Sequence, residues 1–161
     1  GHFNMLQVAR LAPQLEHLVY ASSSSVYGAS KKVPFSLDDA ADHPVSLYAA
    51  TKKSGEMMAT SYARLFGIKA VGLRFFTVYG PRQRPDMAFH RFLKAVRDGE
   101  PITLYGDGEQ TRDFTFIADL TDVLQRALHQ GQPALAARGL GFTPKTPLLT
   151  GLKAEWEWIC S

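Results

Sequence analysis

Tyr48 and Lys52 stand four residues apart in a segment that reads as one long helix, so their side chains share a face. A lysine ammonium beside a phenol favours the phenolate and draws a tyrosine pKa from about 10 toward neutrality. Tyr48 so placed is a usable general acid and base. Tyr-x-x-x-Lys pairs also arise by chance on helix surfaces, and the surroundings decide between the two. Ala49, Ala50 and Thr51, which separate the pair, are small enough to let a substrate or cofactor approach. Upstream, Ser22–Ser25 follows an apolar stretch, His17–Ala21, of the length of a buried strand. Ligands in open α/β sheets bind at the carboxyl ends of strands. One serine there would read as a solvated loop. Four, followed by Val26-Tyr27-Gly28, read as a site that supplies a third hydroxyl.

Arg74, Arg82, Arg84 and Arg112 fall at or just after strand ends and turns. Arginine pairs bidentately with phosphate and carboxylate, so the four together suggest an anionic ligand. His43, His90 and His129 are scattered, with no cysteine or carboxylate at metal-ligand spacing, and no metal is expected. No G-x-S-x-G occurs, which sets the serines apart from hydrolase nucleophiles of that kind.

These residues need a scaffold, and the chain offers one. Phe3, Leu6, Val8 and Leu11 recur at roughly helical spacing. His17–Ser22 reads as a strand, and a polar loop runs from Gly28 to Pro44. Ser46 can cap a helix over Leu47–Phe66, which Gly67 can end. Lys69–Phe76 reads as a second buried strand, broken at Gly80-Pro81. A helix over Met87–Arg97, short strands at Ile102–Tyr105 and Phe114–Ile117, a helix over Ile117–His129 and an amphipathic helix over Leu148–Ile159 complete the expectation. Strands alternating with helices predict an α/β fold with a parallel sheet covered by helices. Only two strands of the buried type are clear, too few for a stable sheet, so the rest is expected to lie outside these residues or in another chain.

Composition narrows the function classes. The chain has 161 residues, 45% hydrophobic and 20% charged, enough for a core. A formal charge of +3 is too small to argue for nucleic acid. No apolar run approaches the ~20 residues of a membrane span, and the first residues lack a signal-peptide pattern. The single cysteine, Cys160, excludes an internal disulfide and fits a reducing compartment, the cytoplasm. The sequence opens without Met and reads as the inside of something longer.

Four segments carry a resemblance: Leu18–Gly28 (LVYASSSSVYG), Tyr48–Lys52 (YAATK), Leu73–Pro81 (LRFFTVYGP) and Tyr105–Asp119 (YGDGEQTRDFTFIAD). In this order and spacing they resemble the successive signatures of extended short-chain dehydrogenase/reductases acting on nucleotide sugars, the NAD-dependent epimerase/dehydratase family. The end, Leu140–Ile159, is similar to that family's C-terminal motif. Thr77 and the run Arg84-Pro85-Asp86-Met87-Ala88 look most like its UDP-glucuronate 4-epimerase branch. Related dehydratases and decarboxylases carry an acidic residue at the position of Ser25 or Ser24, which this chain lacks.

The resemblance implies a Rossmann-like doubly wound sheet with a smaller substrate domain, divided here as 1–80 and 81–161. It implies NAD as cofactor and a UDP-sugar as substrate, with a homodimer as one assembly open to the complete enzyme. Tyr48 would take the proton of the sugar 4-hydroxyl, Lys52 would hold the nicotinamide ribose, and Ser23 would bond the same sugar oxygen. Ala21 and Ser22 would line the cofactor. Ser24, Ser25, Thr77 and Arg84 would touch the sugar, with Arg84 on the uronate carboxylate, and Arg112 would hold the diphosphate.

Two departures qualify this. The G-x-x-G-x-x-G fingerprint of the family's first strand and helix is missing, so the dinucleotide-binding half is expected to lie outside the chain, and the isolated chain is expected to be inactive. Near Gln132–Arg138 the chain passes almost directly to the terminal motif, which suggests an internal deletion. The rival readings are a non-catalytic truncated remnant, and a UDP-glucose 4-epimerase or other nucleotide-sugar epimerase or dehydratase.

Overall fold

A computed structural model describes residues 1–32, 34–109, 111–130 and 144–161. In chain order its elements are α1 (His2–Leu11), β1 (Leu18–Ser23), a 3₁₀ turn (Ser24–Tyr27), α2 (Leu47–Phe66), β2 (Ala70–Phe75), β3 (Thr77–Tyr79), α3 (Ala88–Asp98), β4 (Phe114–Phe116), α4 (Ile117–Gln130) and α5 (Leu148–Cys160). The contacts divide the chain into two compact units, Gly1–Phe76 with the described part of Val123–Thr143, and Thr77–Asp122 with Pro144–Ser161.

In the first unit β1 and β2 pair in parallel, with Leu18 opposite Ala70 and Ser23 opposite Phe75. Parallel strands are buried on both faces, which is why both read as continuous apolar runs. Val71 and Leu73 of β2 join Val123 and Ala127 of α4 in one core cluster, flanked by Val19, Phe75 and Leu124. The long helix α2 forms where its capping signals stand. Ser46 Oγ accepts from Ala49 N at 3.1 Å. At the other end Gly67 adopts the left-handed conformation (φ 68°), and its N–H bonds the Ala63 carbonyl at 3.0 Å. Helix α1 lies beside α2 and buries Leu6 and Ala9. Phe3, Val8 and Leu11, expected on its apolar face, are 48%, 61% and 72% exposed.

The second unit contains a sheet that the sequence did not reveal. Thr77–Tyr79 pairs in parallel with Phe114–Phe116. The run Lys69–Phe76 thus ends β2 at Phe75, and the chain enters a different sheet two residues later. Tyr79, only 2% exposed, is ringed by Phe89, Phe114 and Phe116. Helix α5 closes over it at Gly151, where a Cβ would lie 2.7 Å from Tyr79 Cε2. Asp119, buried at the start of α4, fixes the approach to α5 by accepting from Lys145 N (3.1 Å), Thr146 N (3.0 Å) and Thr146 Oγ1 (3.1 Å).

One expected strand fails. Ile102–Tyr105 forms no ladder, and Ile102, Leu104 and Tyr105 are 42%, 69% and 73% exposed. A strand needs a neighbour to take its backbone N–H and C=O groups, and no described segment pairs with this one. The deletion expected near Gln132–Arg138 lies outside the described residues. No helix among the described residues is long and apolar enough to cross a membrane.

Candidate active site

The carboxyl end of β1 and one face of α2 converge in the first unit. Lys52 Nζ donates to the Ala21 carbonyl at 3.0 Å, so the ammonium is fixed at the end of the strand. The same nitrogen lies 5.7 Å from the centroid of the Tyr48 ring. The four-residue spacing thus brings phenol and ammonium together. Tyr48 is 54% exposed, open to a ligand, and Ala49 behind it is fully buried. A lysine has three donors, and the Ala21 carbonyl uses one.

The serines divide by depth. Ser22 and Ser23 are buried, and Ser24 and Ser25 are half-buried on the 3₁₀ turn. Ser23 Oγ donates to Ser25 Oγ at 3.1 Å and accepts from Ser25 N at 3.2 Å, which folds the chain back at the strand end. Ser22, expected along the cofactor, already uses its hydroxyl proton inside the chain. Its Oγ turns inward and donates to Glu56 Oε1 at 2.6 Å.

Arg74, read as part of an anion-binding set, is committed inside the protein. Its Nε and one terminal nitrogen each reach a Glu56 carboxylate oxygen at 2.8 Å, and its guanidinium carbon lies 4.8 Å from the centroid of the Tyr27 ring. The bonds to Glu56 hold the guanidinium firmly protonated. Burial pushes the Glu56 carboxyl up, but the bonds from Arg74 and Ser22 outweigh it and leave the group below its usual range. A mid-helix glutamate facing a strand-end arginine carries no motif of its own. The one signal in the sequence was Glu56 four residues after Lys52, on the same helical face.

Thr77, Arg84 and Arg112 belong to the second unit. Thr77 is half-buried at the start of β3. Arg84 is exposed and pairs with Asp86, Nε to Oδ1 at 3.0 Å, a contact that draws the Asp86 carboxyl down. Arg112 is exposed, and donates to the Thr111 carbonyl at 2.7 Å. Arg82 sits in the left-handed region at φ 69°, unusual for a residue with a side chain. Among the described residues no group of three His, Cys, Asp or Glu side chains is placed to hold a metal ion.

A family model described as the NAD dependent epimerase/dehydratase family matches residues 1–137. A probable UDP-glucuronate 4-epimerase of Rhizobium meliloti is 52% identical over 130 residues, which is 80% of this chain and 38% of that protein. UDP-glucuronate 4-epimerase 5 of Arabidopsis thaliana is 46% identical over 142 residues, 86% of this chain and 33% of its own length. The chain therefore spans about two fifths of the length of the first curated relatives it matches, 37–39%. Among solved structures, UDP-glucuronic acid 4-epimerase from Bacillus cereus in complex with UDP-glucuronic acid and NAD superposes with a TM-score of 0.88 at 32% identity. The match covers 99% of this chain and 66% of that one.

Proposed function

This chain belongs to the NAD dependent epimerase/dehydratase family, and from that premise we propose that it carries the acid/base machinery of an enzyme that inverts C4 of a UDP-sugar, UDP-glucuronate in the first place. The observation that carries the reading is the placement of Lys52 Nζ, bonded to the Ala21 carbonyl and beside the exposed Tyr48 phenol. NAD, when bound, supplies reversible acceptance of hydride at C4. The chain's own residues manage the proton and the orientation. Tyr48 takes the proton of the 4-hydroxyl as the carbonyl forms, and returns it after the sugar has turned its other face. Lys52, held beside the Tyr48 ring, offers its remaining donors to the nicotinamide ribose. Ser23 bonds the reacting oxygen, with Ser24 and Ser25 beside it. Thr77 and Arg84 are assigned to the sugar and Arg112 to the diphosphate, within a two-part division at 1–80 and 81–161.

The residues present fit the nicotinamide–ribose end of the cofactor, because Tyr48 is open and the ammonium keeps free donors. The adenosine and pyrophosphate end finds no glycine-rich strand-to-helix turn in the sequence. That favours a second reading, a piece that turns over no substrate until the missing turn is supplied.

The test joins this chain to the N-terminal portion of the Rhizobium meliloti relative and follows interconversion of UDP-glucuronate and UDP-galacturonate by chromatography. Tyr48→Phe should cost about 10²–10⁴-fold in turnover with UDP-sugar binding nearly unchanged. A joined protein that binds NAD and UDP-glucuronate yet inverts nothing refutes the activity. A Phe variant at full rate removes Tyr48 from its role.

A further inference from the structure

Strands β1 and β2 end side by side, with Ser22 opposite Arg74. Glu56 stands across these ends, four residues after Lys52 and eight after Tyr48, so all three share one face of α2. Its carboxylate is filled from several sides. Oε1 accepts from Ser22 Oγ at 2.6 Å and from Arg74 Nε at 2.8 Å. Oε2 takes a terminal Arg74 nitrogen at 2.8 Å and lies 3.7 Å from Lys53 Nζ. Arg74 in turn carries the Tyr27 ring of the 3₁₀ turn, and Tyr27 stacks on Phe35 at 4.5 Å. One carboxylate thus ties α2 to both strand ends and to the turn that follows β1.

An ion pair that only filled space would need Arg74 alone. The third bond goes to Ser22, whose chain neighbours are Ala21, the acceptor for Lys52, and Ser23, the proposed substrate hydroxyl. The charges are also arranged to leave Lys52 undisturbed. An unpaired Glu56 one turn away would attract the ammonium, and the bidentate Arg74 neutralises it.

We propose that Glu56 is a positioning residue for the Tyr48, Lys52 and Ser23 group: through Ser22 and Arg74 it holds the end of β1 at the height where the Ala21 carbonyl fixes Lys52 beside Tyr48. The proposal rests on the reading of Tyr48 and Lys52 as the acid/base pair, but its test does not use catalysis. Limiting acetylation of the chain with acetic anhydride over a range of pH, resolved by peptide mass spectrometry, gives the reactivity and titration of each lysine. In the wild-type chain Lys52 should label more slowly than Lys94, which is exposed on α3. Glu56→Gln should speed Lys52 by about 2- to 10-fold, the scale of one lost hydrogen bond, and move its labelling profile along the pH axis, while Lys94 stays constant. Ser22→Ala keeps the ion pair and cuts only the link to β1, and should act on Lys52 in the same direction. If Glu56→Gln speeds every lysine, general loosening is responsible and the Ser22→Ala result decides. Wild-type Lys52 labelling as fast as Lys94, or an unchanged Lys52 in the Ser22→Ala chain, overturns the proposal. Loss of epimerase activity in Tyr48→Phe with no such lysine response would leave the catalytic reading standing and sink this one.

Discussion

Replacing Glu155 by glutamine isolates the cost of one buried charge. Glu155 is 0% exposed in α5. Its Oε2 accepts from Gly80 N at 3.2 Å, and its Oε1 meets no donor among the described residues. The titratable group coupled to Glu155 is the neutral Tyr79 phenol, which burial pushes up and the Asp119 carboxylate raises further, while Lys145 and Thr146 already satisfy Asp119. Burial therefore raises the Glu155 carboxyl above its usual range, and the Gly80 N–H only partly offsets it. A raised folded value means that the native chain keeps a proton that the unfolded chain releases near pH 4.3. The stability this contributes is full below that value and is lost as pH climbs through the folded one. Over that window the wild type should lose about 1.4 kcal/mol per pH unit from this group alone. Glutamine keeps an acceptor for Gly80 and cannot ionise. Urea unfolding, followed by the fluorescence of Trp156 and Trp158 on the same helix, would be run on both proteins from pH 4 to 8. Every other titrating group is common to the two, so their difference reports Glu155. They should agree within about 1 kcal/mol at the acid end, diverge in favour of Glu155→Gln as pH rises, then run level. Parallel stabilities across the whole range would refute the argument from burial.

Two further outcomes follow from the site. Calorimetric titration of the chain alone with NAD should give no saturable micromolar binding, because the sequence has no pyrophosphate cradle, and a clean isotherm would overturn that account. In the joined enzyme, Arg84→Ala should lose most of a preference for UDP-glucuronate over UDP-glucose, about 10–150-fold in kcat/KM. An unchanged ratio would move the carboxylate contact away from Arg84.

Helix α2 was legible because its signals are local. Ser46, the small residues around Tyr48 and Gly67 each act within a few residues, and cap, face and end fall where the sequence puts them. The pair Tyr48 and Lys52 needed only the helical period. The family resemblance was legible for a different reason, since four ordered segments fix a long stretch at once. What stayed hidden depends on contacts distant in sequence. Thr77–Tyr79 looks like the tail of β2, and only pairing with Phe114–Phe116 makes it a strand of another sheet. Ile102–Tyr105 has the composition of a strand but joins no sheet among the described residues.

The arginines carry the same lesson into the chemistry. Arg74, Arg82, Arg84 and Arg112 are alike in the sequence, all near strand ends or turns, and together suggest an anionic ligand. Depth separates them. The Arg74 side chain, 13% exposed beside Glu56, is part of the frame that sets the strand ends. Arg84 and Arg112 stand in solvent, where a guanidinium can exchange a neighbouring carboxylate or carbonyl for a ligand at small cost. Drawing Arg74 away would strip the Glu56 carboxylate of its two-point partner beneath the strand that holds Lys52. The buried, strongly paired arginine therefore belongs to the scaffold on which Tyr48 and Lys52 stand, and the anion contacts proposed above fall to the exposed ones.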